Sequence, residues 1–200
     1  MRSVAAAIIA GGPARRLGGA TKPLLEIAGQ AVADRQLAVL RPIFPRLLVV
    51  ANDPDPWRAR GVEVVADRVA GAGPLAGISA ALAAVGDAEA VVCLAGDLPF
   101  LSPALLTALR DREPEADALA PRPAGRPEPL CARYAVRARA LVDARLATGR
   151  LALHELLAEL GTVWLDDAAL SALDPDGLSF VNLNTPDDLR RAEEIARRVP

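Results

Sequence analysis

Two hundred residues suit a domain of ordinary size with room for a substantial hydrophobic core. Apolar residues make up 52% of the chain but aromatics only 3%, so the interior has to be assembled from alanine, leucine and valine. Lysine plus arginine number 23 against 25 aspartate plus glutamate, a formal net charge of -2; this supplies no global attraction for nucleic acid or an anionic membrane and leaves only a local basic loop to meet a polyanion.

No apolar run approaches the roughly 20 residues that span a bilayer. Arg2 followed by Val4 to Ala10 faintly resembles a signal peptide, but the apolar stretch runs straight into Gly11-Gly12 and a charged loop, so no cleaved signal is expected. Cys93 and Cys131 lie far apart without CxxC spacing and read as two buried, reduced thiols of a cytoplasmic protein.

Val4 to Ala10, bounded by two glycines, predicts a buried strand. A loop to about Pro23 precedes a helical pattern from roughly Ala31 to Leu40. Arg46 to Ala51 and Val62 to Ala66 predict a second and a third strand, Leu75 to Val85 a helix rich in small residues, and Ala90 to Ala95 a fourth strand. Their near-continuous apolar character is that of a parallel sheet covered on both faces. Ser102-Pro103 offers an N-cap and a first-turn proline for a helix to about Arg112. The prolines at 114, 121, 123, 127 and 129 predict an irregular excursion. Glu128 to Tyr134 suits a further strand, Arg137 to Leu160 one or two helices, Ser179 to Leu183 a last short strand, and Pro186 to Arg198 a terminal helix. The alternation of strand and helix predicts an α/β sandwich with right-handed crossovers and no internal repeat.

The loop after the first strand carries Gly11-Gly12, three residues, Arg16, one residue, Gly18-Gly19, two residues, and Lys22. It is neither a dinucleotide GxGxxG fingerprint nor a P-loop GxxxxGK[ST]. Glycines let backbone N–H groups approach phosphate oxygens, and Arg16 and Lys22 add positive charge where a polyphosphate would lie. A flexible surface loop with solvated cations would share this composition, but the carboxyl end of a first strand is where α/β sheets bind ligands.

The pattern Ile9-Ala10-Gly11-Gly12-x-x-x-Arg16-x-Gly18-Gly19-x-x-Lys22-x-Leu24 resembles the signature loop of the molybdenum cofactor guanylyltransferases, among the Rossmann-like nucleotidyltransferases. The resemblance implies that Ile9, Ala10, Gly11, Gly12, Gly18 and Gly19 wrap the GTP phosphates, that Lys22 contacts them, and that Arg16 neutralises the pyrophosphate leaving group. Asp97, in Asp97-Leu-Pro-Phe-Leu101, falls on the family's metal aspartate; one carboxylate suffices for Mg2+ when phosphate oxygens and water complete its shell. Gly96 departs from a family position that is often cysteine. Asn52 and Asp67, each at a strand end, match nucleoside contacts, though either residue also suits a turn. Gly73, Pro74, Leu75 and Gly77 match the GPLAG element, which also makes a tight turn and a closely packed helix.

Pro127 to Tyr134 resembles a family stretch on the side assigned to the pterin. The last match is Asn182-Leu-Asn184-Thr-Pro. In the expected strand Asn182 and Asn184 share one face, Thr185 caps the following helix, and the resemblance implies that this segment lies close to the metal and phosphates. His154, the only histidine, reads as a helix residue outside any catalytic set. Trp57 and Trp164 are too isolated to form a base-stacking platform.

The matches run from residue 9 to 189 and imply a three-layer α/β/α sandwich with a mainly parallel central sheet. A single nucleotidyltransferase domain is expected over 1–200, its nucleotide-binding part about 1–101 and its acceptor-binding part about 102–200. The expected reaction transfers GMP from GTP to the terminal phosphate of molybdopterin or the molybdenum cofactor, with transient contact to cofactor-biosynthesis or acceptor proteins. Three other functions stay open: a cytidylyltransferase on the same pterin, a transferase to a sugar phosphate or other phosphorylated metabolite, and a nucleotide-binding regulator without catalysis.

Overall fold

The computed structural model describes residues 3–11, 22–67, 69 and 71–198. Gly12, Arg16, Gly18 and Gly19 of the basic loop lie outside the described residues. In chain order the elements are β1 (Val4–Ile9), β2 (Glu26–Ile27), β3 (Gln30–Ala31), α1 (Val32–Leu40), β4 (Leu47–Val50), α2 (Asp55–Arg58), β5 (Glu63–Val65), α3 (Gly73–Ala84), β6 (Ala90–Ala95), α4 (Pro103–Asp111), β7 (Ala118–Pro121), β8 (Cys131–Ala135), α5 (Arg139–Ala147), α6 (Leu153–Glu159), β9 (Val163–Leu165), α7 (Asp167–Leu173) and α8 (Pro186–Ala196). Short 3-10 turns cover Lys22–Leu24, Pro123–Gly125, Val136–Ala138 and Leu178–Phe180.

Seven strands form one sheet in the order β5-β4-β1-β6-β8-β7-β9, and β2 and β3 form a separate small hairpin. β5, β4, β1 and β6 run parallel. β8 is antiparallel to both neighbours, and β9 lies parallel to β7 at the far edge. All six residues of β1 are buried, as a strand covered on both faces requires. One face packs Leu37 and Leu40 of α1, Leu105 and Leu109 of α4, and Leu170 of α7. The other packs Leu75, Ile78 and Leu82 of α3, Val142 of α5, and Leu156 and Leu157 of α6. The predicted three-layer α/β/α sandwich is the observed architecture.

Cys93 and Cys131 are both free and buried, and they belong to cores on opposite faces of the sheet. Burial in apolar surroundings pushes both thiols well above their ordinary range. His154 is exposed on α6, as expected, and Trp57 is buried in the core.

Three expectations need correction. The proline-dense stretch contains β7, whose four residues Ala118 to Pro121 are all buried between β8 and β9. Alanine and proline carry little strand propensity, so burial inside a sheet decided the outcome there. β9 and α7 were likewise absent from the sequence reading; Asp166 caps α7 by accepting from the Ala169 N–H at 3.0 Å.

The third correction concerns Ser179 to Leu183, which is not a strand. It forms a 3-10 turn followed by extended chain. Its backbone is satisfied elsewhere: the Ser179 N–H donates to Asp174 Oδ2 at 3.0 Å, and the Leu183 N–H donates to the Asp97 carbonyl at 3.2 Å. Asn182 and Asn184 therefore do not share a strand face. Asn182 is exposed, and Asn184 turns inward.

A third small core explains how this segment is held. Ile27, Val32, Leu183 and Ala192 pack together, joining the β2–β3 hairpin and the start of α1 to α8. The last helix thus returns to the first forty residues.

Candidate functional site

The carboxyl ends of β1 and β6 lie side by side at the centre of the sheet, with Ile9 registered on Ala95. The chain leaves both strands there, so side chains just past them meet over the sheet's edge. A cavity of about 230 Å³ opens at this point, lined among the described residues by Ile9, Ala10, Gly11, Lys22, Pro23, Pro74, Ala95, Gly96, Asp97 and Leu130.

At its centre the Lys22 ammonium donates to Asp97 Oδ2 at 2.8 Å and to Asn184 Oδ1 at 2.5 Å. Three elements deliver these groups: the turn after the basic loop, the tip of β6 and the chain entering α8. The Asp97 and Lys22 side chains retain 16% and 26% of their exposure, enough for a ligand to reach both. One cation thus already sits between a carboxylate and an amide oxygen. A carboxylate and an amide oxygen directed at one positive charge are hard oxygen donors of the kind that suit a divalent cation. Among the described residues no group of three or more His, Cys, Asp or Glu side chains forms a metal cage. A metal held here would have to share its shell with phosphate oxygens and water.

Close backbone approach shapes the floor. Gly96 leans on the loop side: a Cβ there would sit 2.9 Å from Pro23 Cγ and 3.3 Å from Ala10 Cα. Gly77 on α3 leans on β1, where a Cβ would fall 2.6 Å from Ile9 Cγ2. The helix α3 begins at Gly73 with φ +62, and Pro74 follows on the cavity wall. The Leu75 side chain points into the core. Asn52 is exposed beyond β4. Beyond β5, Asp67 accepts from the Val69 N–H at 3.0 Å, which makes a local turn.

The approach to α8 is set by a reciprocal cap. The Asp188 N–H donates to Thr185 Oγ1 at 3.2 Å, while Asp188 Oδ2 accepts from the Thr185 N–H at 2.8 Å and the Asn184 N–H at 3.0 Å. These bonds, the Asn184 amide foremost, hold the Asp188 carboxyl below its ordinary range. The cap expected at Thr185 therefore also fixes the backbone of Asn184 beside Lys22.

Sequence reasoning singled out neither Leu130 nor Gln36 by itself, although Leu130 lies within the Pro127 to Tyr134 stretch. Leu130 lines the cavity, and its carbonyl accepts from the Ala95 N–H at 2.8 Å. Gln36 is 1% exposed on α1, on the same stripe as Val32, Ala33, Leu37 and Leu40. A lone amide on an apolar helical stripe was the signal available for it.

A family model for the MobA-like NTP transferase domain matches residues 6–164. The chain is 31% identical over 194 residues to a molybdenum cofactor guanylyltransferase of Desulfosudis oleivorans, covering 96% of each chain. It is 36% identical over 189 residues to a probable molybdenum cofactor guanylyltransferase of Chloroflexus aggregans, covering 92% of this chain and 90% of that one. Among solved structures it is similar to molybdopterin-guanine dinucleotide biosynthesis protein A from Archaeoglobus fulgidus, with a TM-score of 0.84 and 31% identity over 98% of this chain and 100% of that one.

Proposed function

Because the chain belongs to the MobA-like NTP transferase family, we propose that it transfers GMP from GTP to the terminal phosphate of molybdopterin or its molybdenum-loaded form. The products are the guanine dinucleotide cofactor and pyrophosphate. The observation that carries this reading is the junction of Lys22, Asp97 and Asn184 over the carboxyl ends of β1 and β6.

An acceptor phosphate oxygen attacks the α-phosphorus of GTP, the bond to the β-phosphate breaks, and pyrophosphate departs with the electron pair. The acceptor phosphate is already a nucleophile near neutral pH, so no general base is needed, and His154 stays on the exposed face of α6. Catalysis is then positioning plus stabilisation of charge. Magnesium bound by Asp97, beside Asn184, would neutralise phosphate charge. Lys22 turns from Asp97 toward the phosphates, and Arg16 balances the leaving pyrophosphate. Gly11, Gly12, Gly18 and Gly19 supply backbone N–H groups to the polyphosphate. Asn52 and Asp67 contact the nucleoside, and residues from about 102 onward supply most of the acceptor side. The reaction belongs in the cytoplasm. Among the described residues no helix is long and apolar enough to cross a membrane.

Pyrophosphate release with each of the four nucleoside triphosphates, plus and minus molybdopterin, tests the reading. Release with GTP that depends on the pterin is expected; a preference for CTP, or binding of nucleotide without turnover, would overturn the guanylyl assignment.

A further inference from the structure

Asp97 is carried on a turn that has left the sheet, so its direction depends on what holds that turn. Ala95 is the last residue of β6, and the chain from Gly96 to Leu98 has no ladder of its own. The Gly96 N–H still donates to the Ile9 carbonyl at 3.1 Å, but the Asp97 and Leu98 carbonyls are held from outside the sheet. Leu183 donates to the Asp97 carbonyl at 3.2 Å. Gln36 Nε2 donates both its hydrogens, one to the Ala95 carbonyl at 2.8 Å and one to the Leu98 carbonyl at 3.1 Å. A single buried amide thus bridges the residues on either side of Gly96-Asp97, across 59 and 62 positions of sequence. Both partners are acceptors, so the NH2 end must be the one facing the turn.

The other end of the same side chain strengthens the point. Gln36 Oε1 is buried and has no hydrogen-bond partner among the described residues. An orphaned buried carbonyl works against folding, and an aliphatic side chain on this stripe would avoid it. The amide earns its place through the two bonds its nitrogen makes.

We infer that Gln36 is a positioning residue for the transfer reaction: its amide clamps the Ala95–Leu98 turn and so aims Asp97 at Lys22 and at the metal-bound nucleotide. This rests on the function proposed above. Without the clamp the carboxylate still exists and still carries charge, but it samples directions that do not meet the phosphates.

The test uses Gln36→Leu, with Gln36→Met as a second variant should leucine fail to fold. Hydrogen exchange followed by mass spectrometry should show faster exchange in peptides covering 95–99, with β4 and α6 unchanged; unchanged exchange at 95–99 would overturn the clamp. Turnover should fall about 10- to 100-fold while KM for GTP changes little, since a small misplacement of a reacting group is costly. A double-mutant cycle with Asp97→Asn then reads Mn2+ binding in the presence of GTP by water-proton relaxation. If Gln36 acts through Asp97, its substitution weakens binding in the wild-type background and has no further effect in Asp97→Asn. Additive effects would mean a merely structural role and would overturn the inference. Wild-type protein that never transfers from GTP would sink the guanylyl reading instead, and the exchange experiment judges the clamp independently of it.

Discussion

The two halves of the sheet solve different problems. In the parallel half, β5-β4-β1-β6, the interior is aliphatic and the helix α3 approaches so closely that Gly77 has no room for a Cβ against Ile9. In the other half, β8-β7-β9, short strands and proline-rich connections leave loose carbonyls that buried arginines collect. Arg133 donates to the Arg112 carbonyl at 2.6 Å and also to that of Glu113. Arg145 joins α5 to α6 through Glu155 and Glu159, both at 2.8 Å, and the Ala152 carbonyl at 3.1 Å. The parallel half carries Lys22 and Asp97 together at the tips of β1 and β6, whereas Arg133 and Arg145 of the other half are buried and bonded internally. The candidate site stands at the tips of the parallel half.

Breaking the comparison at its most sensitive point means removing Asp97. Asp97→Ala should lower turnover by about 10²–10³-fold or more, the scale of a lost group aimed at developing charge, while circular dichroism stays that of the wild type. Near-normal turnover would take the metal and phosphate role away from this residue. An intermediate effect is expected at Gly77→Ala. A Cβ placed 2.6 Å from Ile9 Cγ2 forces α3 and β1 apart, costing about 1–3 kcal/mol, so the melting temperature should drop and nucleotide affinity should fall with it. An unchanged melting temperature would show that this half is looser than described.

Arg145→Met probes the other half. Its destabilisation should be of similar size, about 1–3 kcal/mol, because bonds to a carbonyl and two carboxylates are lost, yet GTP affinity should hold. Equal losses of stability and nucleotide binding would erase the distinction between the halves. The smallest effect is expected from acid. The Asp188 carboxyl is held low by the Asn184 and Thr185 bonds, so its contribution is complete above the ordinary carboxylate range near pH 4 and disappears as pH falls through its lowered folded value. Melting scans from pH 7 to 3 should show Asp188→Ala converging on the wild type at the acid end; a constant difference would refute the assignment.

The legible part of the molecule was the parallel half. Val4 to Ile9 and Ala90 to Ala95 are apolar runs closed by glycine, and a covered parallel strand needs little more. The placement of Lys22 and Asp97 at their tips was readable as well. That Asn184 would meet the same ammonium was not derivable from spacing, because 162 positions separate it from Lys22 and the contact depends on α8 packing against the β2–β3 hairpin. The alternation in Ser179 to Leu183 looked like a strand, but an alternating pattern needs a neighbouring ladder, and its polar groups had found Asp174 and the Asp97 carbonyl instead. β7 and β9 escaped because alanine, proline and three- or four-residue lengths leave no periodicity to read. Gln36 escaped for the opposite reason, as one polar residue in a convincing apolar stripe.

The most direct test of the Lys22–Asp97–Asn184 site as a guanylyl transfer centre follows the α-phosphorus itself. Wild-type protein is incubated with molybdopterin, magnesium and GTP labelled with 32P at the α position, and the products are separated. The label should appear in a pterin guanine dinucleotide, and label at the γ position should appear only in pyrophosphate. Label that stays in GTP, or leaves as free GMP or GDP with no pterin adduct, would contradict the account.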